Sequence, residues 1–201
     1  MKAVPQSRYW VFFSLAILGC SADLATKSGV FQWLGMPGGP TWWLWDGVIG
    51  CQTSLNEGAL FGMGQGMVVV FAALSVVAAL AILWWLFVAG AASDLLLTIA
   101  LGSITAGILG NLYDRLGFPS LQWNFANALH DKGDPVFAVR DWILVMIGNW
   151  PWPNFNIADS MLVCGAGLLL WHAFHSEQAP EQPQVPRELP ANASQDQPVT
   201  R

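Results

Sequence analysis

The chain has 201 residues, of which 54% are hydrophobic and only 10% charged, with a net charge of −5. Ordinary soluble domains carry about 25% charged residues, so this composition argues against a typical soluble globule and against a disordered chain. Eight Lys and Arg against thirteen Asp and Glu, with no basic patch, exclude nucleic acid as the expected partner. Twelve Trp point instead to membrane–water interfaces, where indole rings settle.

Along the chain, Tyr9–Ala22 is uncharged. As a first membrane span it must continue past Asp23 toward Lys27 to reach the required length of about 20 residues. Lys2 and Arg8, followed by a run ending in Ile17-Leu18-Gly19-Cys20, also fit a cleaved lipoprotein signal peptide. Leu18 is a poor fit where small residues are usual, so retention as a helix is the expectation. Residues 28–66, rich in Gly, Pro and Trp, are read as non-helical, with a short strand around Gly47–Ser54. No charge falls in the 36 positions from Gly58 to Ser93, and Met67–Val88 is the second span. Ala89–Ser93 is a short connector, with Ser93-Asp94 an N-cap for the third span, Leu95–Tyr113. These two spans form a tight antiparallel hairpin. Residues 114–155 are a second long loop, and Ser160–Ser176 is the fourth span. The fold expected is therefore an all-α membrane protein, with four transmembrane helices, a small β/loop element and an inserted loop between helices 3 and 4. The membrane domain covers 1–176, and the polar, Pro-containing segment 177–201 reads as a disordered tail. Cys20 and Cys164, in apolar runs, are expected as small core residues; Cys51, in a loop, has no assigned role.

The alternation of spans brings the polar residues to one membrane face. Asp23 and Lys27 end the first span. Asn56 lies in the first long loop. Asn111, Asp114 and Arg115 end the third span, and Asn156 and Asp159 begin the fourth. Charge in a membrane costs about 2.5–3.5 kcal/mol at the centre of a span, so ionisable residues there pair, line water or work. Asn111 and Asp114, like Asn156 and Asp159, are three apart and share a helix face, giving each carboxylate a nearby amide donor. Capping alone accounts for such residues at helix ends, and Asp114-Arg115 also reads as an ion pair. His172 and His175 fall toward the opposite interface, and His130 falls in a loop. Neither a zinc motif nor a serine-nucleophile elbow is present. What remains is paired carboxylates: two held close share one proton, so that one activates water while the other protonates the scissile amide. On spacing alone, Asp114 and Asp159 are the tempting pair.

Four segments in order resemble the lipoprotein signal peptidase (signal peptidase II) family. Asp23-Leu24-Ala25-Thr26-Lys27 is similar to D-x-x-T-K. Asn56-Glu57-Gly58-Ala59-Leu60-Phe61-Gly62 is close to N-x-G-A-A-F-G, with Leu60 for an Ala. Gly110-Asn111-Leu112-Tyr113-Asp114-Arg115 matches G-N-x-x-D-R, and Phe155-Asn156-Ile157-Ala158-Asp159-Ser160 matches F-N-x-A-D-S. The resemblance covers roughly residues 9–176. It implies a catalytic pair of Asp141, in Val139-Arg140-Asp141-Trp142-Ile143, and Asp159, with Asp114 supporting. Asn56, Gly58, Asn111, Arg115, Asn156 and Ala158 are then substrate-binding or supporting positions, and Asp23 and Lys27 an ion-paired brace. An insertion of about 18 residues separates Asp114 from Asp141, read as a lid or interfacial segment carrying Phe118, Trp123 and Phe125. Asp131 and Asp134 within it read as a solvated turn. Arg140 replaces a commonly apolar residue and is expected to meet a lipid phosphate.

The implied activity is a membrane aspartic endopeptidase that cuts diacylglyceryl-modified prolipoproteins just before the lipidated Cys. No metal or organic cofactor is expected. The partners are those substrates and membrane lipids, and the chain is expected to be a monomer. The location is a bacterial inner membrane, multi-pass, with the site extracytoplasmic and both termini cytoplasmic; counting Lys and Arg gives four on each side and does not orient the chain. A non-enzymatic four-span protein, such as a proton-relay or transporter subunit, is the alternative.

Overall fold

The computed structural model describes residues 3–58 and 63–176. Helix α1 (Gln6–Leu34) crosses its two polar interruptions because Asp23 and Lys27, four apart, stack on one face and pair at 2.7 Å. The helix runs two turns beyond Lys27, so the non-helical reading of 28–66 is wrong for its first seven residues. The physical stop comes at Gly35, whose φ of 78° ends the helix, with Pro37 beyond. Helix α2 (Val68–Leu83) continues as a π-helical turn over Trp84–Val88, and a 3-10 turn, Ala91–Ser93, leads to α3 (Leu95–Arg115). Asp94 caps α3 as expected, accepting the Leu97 N–H at 3.0 Å. Helix α4 spans Ile157–Ser176. All four helical stretches are long and apolar enough to cross a membrane.

α3 is the axis of the bundle. Two-thirds of its apolar window (67%) is buried, against 6% for α2, which borders lipid. Buried Gly102, Ser103, Thr105, Ala106, Gly107 and Gly110 let α1 and α4 approach closely, as small residues do between membrane helices. At Gly107 a Cβ would overlap the Ala158 carbonyl and the Leu162 side chain. Exposed Trp10, Trp84 and Trp171 mark one end of the bundle. Trp33, Trp42, Trp45, Trp150 and Trp152 mark the other.

At that second end lies an antiparallel sheet in the order β1 (Trp42–Trp45), β2 (Ile49–Asn56), β3 (Val139–Ile147), β4 (Trp150–Phe155). β2 bears out the expected strand. β3 and β4 correct the reading of 114–155 as a loop. Their sequence signal was an apolar run turning at Gly148-Asn149, with Gly148 at φ 62°. Pro151 and Pro153 obscured it, and they are tolerated because β4 is an edge strand. The β2–β3 register pairs Ser54 with Asp141 and Asn56 with Val139, and slips by a bulge between Cys51 and Ser54. Bulges re-aim side chains beside sites.

The insertion folds as a compact loop. Trp123, Val136 and Ala138 are buried against Met36 and Leu55. Trp123 N–H donates to the Asp134 carbonyl and Val136 N–H to Leu121, both at 2.9 Å, and His130 stacks on Trp123 at 3.6 Å. Asp131 and Asp134 sit exposed in the expected turn, closed by Asp131 N–H to Asp134 Oδ2 at 2.8 Å. Cys164 is exposed on α4 and Cys20 and Cys51 are half-buried, correcting the expectation of core cysteines at 20 and 164. The tail 177–201 lies outside the described residues.

Candidate active site

Beneath the sheet the buried charges form a neutral brace. Lys27, fully buried, points its three N–H groups at Asp23 Oδ2 (2.7 Å), Asn111 Oδ1 (2.9 Å) and Asp114 Oδ2 (3.1 Å). Asp23 Oδ1 accepts the Ala158 N–H at 2.9 Å, tying α1 to the first turn of α4. Ala158 has no exposed surface, and a larger side chain would press on α3 at Gly110. Asp114 accepts two hydrogen bonds from Arg140, Nε on Oδ1 and the backbone N–H on Oδ2, both at 3.0 Å, while Nη2 stands as an ion pair 2.9 Å from Oδ1. Charged partners of this kind make the stronger class of hydrogen bond. Two cations and two carboxylates balance, which is how charge is tolerated in a low-dielectric interior. Arg140 is thus inside the protein, 4% exposed, with Asp114 as its main partner.

Above the brace the amides cross over. Asn111, three residues from Asp114 on α3, gives its Nδ2 to Asp159 Oδ1 at 2.8 Å instead. Asn156 gives its Nδ2 to Asp141 Oδ1 at 2.6 Å and to Asn111 Oδ1 at 3.2 Å. Asn156 also caps α4 reciprocally: its Oδ1 accepts the Asp159 N–H at 2.9 Å, and its own N–H reaches Asp159 Oδ2 at 3.1 Å. The two amides therefore bridge Asp141 and Asp159, while Asp114 stays below with the cations. Burial pushes the Asp141 carboxyl well above the usual carboxylate range; the nearby Asp159 charge adds to this, against weaker lowering by Lys27, Asn156 and Asn56.

Asp141 and Asp159 both line a cleft of about 720 Å³ that runs down between α2, α3 and α4. Arg115 lines it too, with Nη2 donating to the Gly58 carbonyl at 3.1 Å and the guanidinium 5.5 Å from the Phe71 ring. Asn56 Oδ1 accepts the Gly58 N–H at 3.0 Å, and a Cβ at Gly58 would overlap the Met63 carbonyl. Insertion residues do not line the cleft; Asn124 instead reaches the Pro37 carbonyl at 3.3 Å. Trp152, Asn154, Gln65 and Ser75 also line it, without having drawn attention in the sequence. Trp152 and Asn154 lie in the unforeseen edge strand, and single polar residues in an apolar helix carry little pattern.

Fold and site together define a multi-pass membrane protein with paired carboxylates at one end of its helix bundle. The chain belongs to the signal peptidase II family, whose model, described as signal peptidase (SPase) II, matches residues 15–175; it is a peptidase. A lipoprotein signal peptidase of Rhodopirellula baltica is 47% identical over 98% of this chain and 86% of its own. One from Rhodococcus jostii is 28% identical over 84% of this chain and 75% of its own. Among solved structures, a bacterial membrane enzyme determined by the in meso method superposes with a TM-score of 0.67, at 22% identity, over 85% of this chain and 93% of that one. That likeness supports the shared fold.

Proposed function

We propose that this protein removes the signal peptide from diacylglyceryl-modified prolipoproteins by cutting just before the lipidated Cys, with Asp141 and Asp159 as the catalytic pair. The observation that carries the reading is the Asn111–Asn156 amide bridge, which holds both carboxylates on one cleft wall. Asp141, whose neutral form burial favours, supplies a proton to the scissile carbonyl oxygen and takes one back from the gem-diol as the C–N bond breaks. Asp159 takes a proton from the attacking water and returns it to the leaving amide nitrogen. Asn56, Gly58 and Arg115 shape the cleft mouth and position the peptide. Asp23, Lys27, Asp114 and Arg140 hold the geometry without touching the reaction. The chemistry also suits the location: diacylglyceryl tails stay in hydrocarbon between α2 and α4 while the peptide bond reaches water at the helix ends. We place the site on the extracytoplasmic face of a bacterial inner membrane, with the protein working as a monomer.

A proton relay would string its carboxylates through the bilayer. Among the described residues, the buried carboxylates gather at one end, and Asp94 at the other is tied to His172 at 2.6 Å. The test is cleavage of a diacylglyceryl-modified prolipoprotein by purified protein in detergent. Asp141→Asn and Asp159→Asn should abolish cleavage, a loss of at least about 10³-fold. Asp114→Asn should retain part of the activity, and Asp131→Asn all of it. Full activity in Asp141→Asn would refute the pairing.

A further inference from the structure

A second cavity, of about 300 Å³, lies behind the site. Tyr113 lines it from α3, and two residues along a helix turn about 200°. The cavity therefore opens on the side of α3 opposite to Asn111 and Arg115. Ser28, Phe31 and Gln32 of α1 form one wall, the start of the insertion at Phe118 forms the other, and Arg140 is its floor. Arg140 is almost completely buried, yet its bonds are incomplete. Nε donates to Asp114, and Nη2 sits against the same oxygen without a formed hydrogen bond to any described residue. Nη1 reaches Ser28 Oγ only at 3.3 Å, and the guanidinium lies 5.9 Å from the Phe31 ring. A buried donor without an acceptor is costly, and a planar guanidinium matches the paired oxygens of a phosphate.

We propose that this pocket binds the phosphate of a membrane phospholipid headgroup, with Arg140 beneath it and Ser28, Gln32 and Tyr113 around it. A phosphate ester is the ligand class the donors fit. A lipid is its source because the pocket lies between two membrane-spanning helices at the end ringed by indoles, where headgroups lie. Phe118, 59% exposed at the mouth, offers the apolar wall that a glycerol and acyl chain would follow. Arg140 immediately precedes Asp141, and its carbonyl accepts Asn156 Nδ2 at 3.4 Å. Headgroup binding therefore steadies the strand bearing Asp141. The pocket stands whether or not the chain cleaves lipoproteins.

The test uses delipidated full-length protein in a neutral detergent, with dioleoylphosphatidylglycerol, dioleoylglycerol or inorganic phosphate added at equal concentration. Thermal unfolding and native mass spectrometry are the readouts. Phosphatidylglycerol should raise the Tm by about 3 °C or more and remain bound as one molecule per chain; the other two should do neither. Gln32→Trp, which fills the mouth from an exposed position clear of Asp114, should melt like wild type without lipid and lose the shift. Arg140→Met should lose it as well; if Arg140→Met does not fold, Gln32→Trp decides. An equal shift from dioleoylglycerol, or a full shift retained in Gln32→Trp, overturns the site. A shift from inorganic phosphate alone overturns the lipid source.

Discussion

Asp114 and Asp141 are both buried aspartates, 0% and 2% exposed, joined through Arg140, yet their surroundings differ in kind. Asp114 faces cations on both oxygens. Asp141 meets the amides of Asn156 and Asn56, which partner it without cancelling a charge. Burial therefore favours the neutral form of Asp141 and raises its pKa. The consequence for stability has a definite sign. A carboxyl whose folded pKa lies above its unfolded value contributes stability fully present below the unfolded pKa and lost as pH rises through the folded one. Asp141→Asn keeps the shape and removes the titration. The variant should be inactive but at least as stable as wild type, with a Tm advantage that grows from acid to alkaline pH, at about 2–4 °C per kcal/mol for a chain of this size. Differential scanning fluorimetry of both proteins from pH 4 to pH 9 checks this, and a constant gap across the range would contradict it. Activity should fall on the alkaline side over the same pH range, as the shared proton is lost.

At the scale of elements, the site exists because three helices approach at α3 more closely than ordinary side chains allow. A Cβ at Gly110 would lie 2.5 Å from Asp23 Oδ2 and 3.1 Å from its carboxyl carbon. Gly110→Ala should therefore push α1 off α3, disturb the Asp23–Lys27 pair, destabilise by about 1–3 kcal/mol, and lower activity. Gly29→Ala is the matched control: it lies mid-helix in α1 with nothing within 4 Å of its Cβ, so it should stabilise by about 0.5–1 kcal/mol. Paired thermal melts separate the two, and equal effects would refute the close-approach reading. These helices were legible in the sequence because an apolar run without charge has few alternatives in a membrane. The sheet was half legible. β2 carries clear turn residues at its start, whereas β3 begins with Arg140 and Asp141, which look like loop until the brace is known. Convergence of Asp23, Lys27, Asn111, Asp114, Asn156 and Asp159 followed from counting spans alone. That Asn111 serves Asp159 rather than Asp114 did not, because the crossover depends on the depth at which α4 packs against α3, and spacing within one helix carries no such information.

For the whole molecule, charge sets no direction, since the Lys and Arg count is balanced across the two faces. The architecture is not balanced. The sheet, the insertion, the cleft mouth and five exposed indoles lie at one end. Among the described residues, the other end carries the Ala91–Ser93 turn, the start of α1 and the end of α4. α3, at 21 residues and about 1.5 Å per residue, spans about 31 Å between them, one hydrocarbon thickness. A substrate that leaves the cell with its lipid still in the bilayer presents its cleavage point on the exported side, so a peptidase acting there must hold its carboxylates on that side. On that reading we propose that the sheet faces outward and the α2–α3 turn inward, independently of charge counting. In a background with Cys20, Cys51 and Cys164 replaced by Ala, a Cys introduced at exposed Asn149, in the β3–β4 turn, should be labelled by a membrane-impermeant maleimide on intact cells whose outer barrier is opened. A Cys at exposed Ser93 should be labelled only after the inner membrane is permeabilised. The reverse pattern would invert the protein and place the carboxylate pair on the side its substrate has already left.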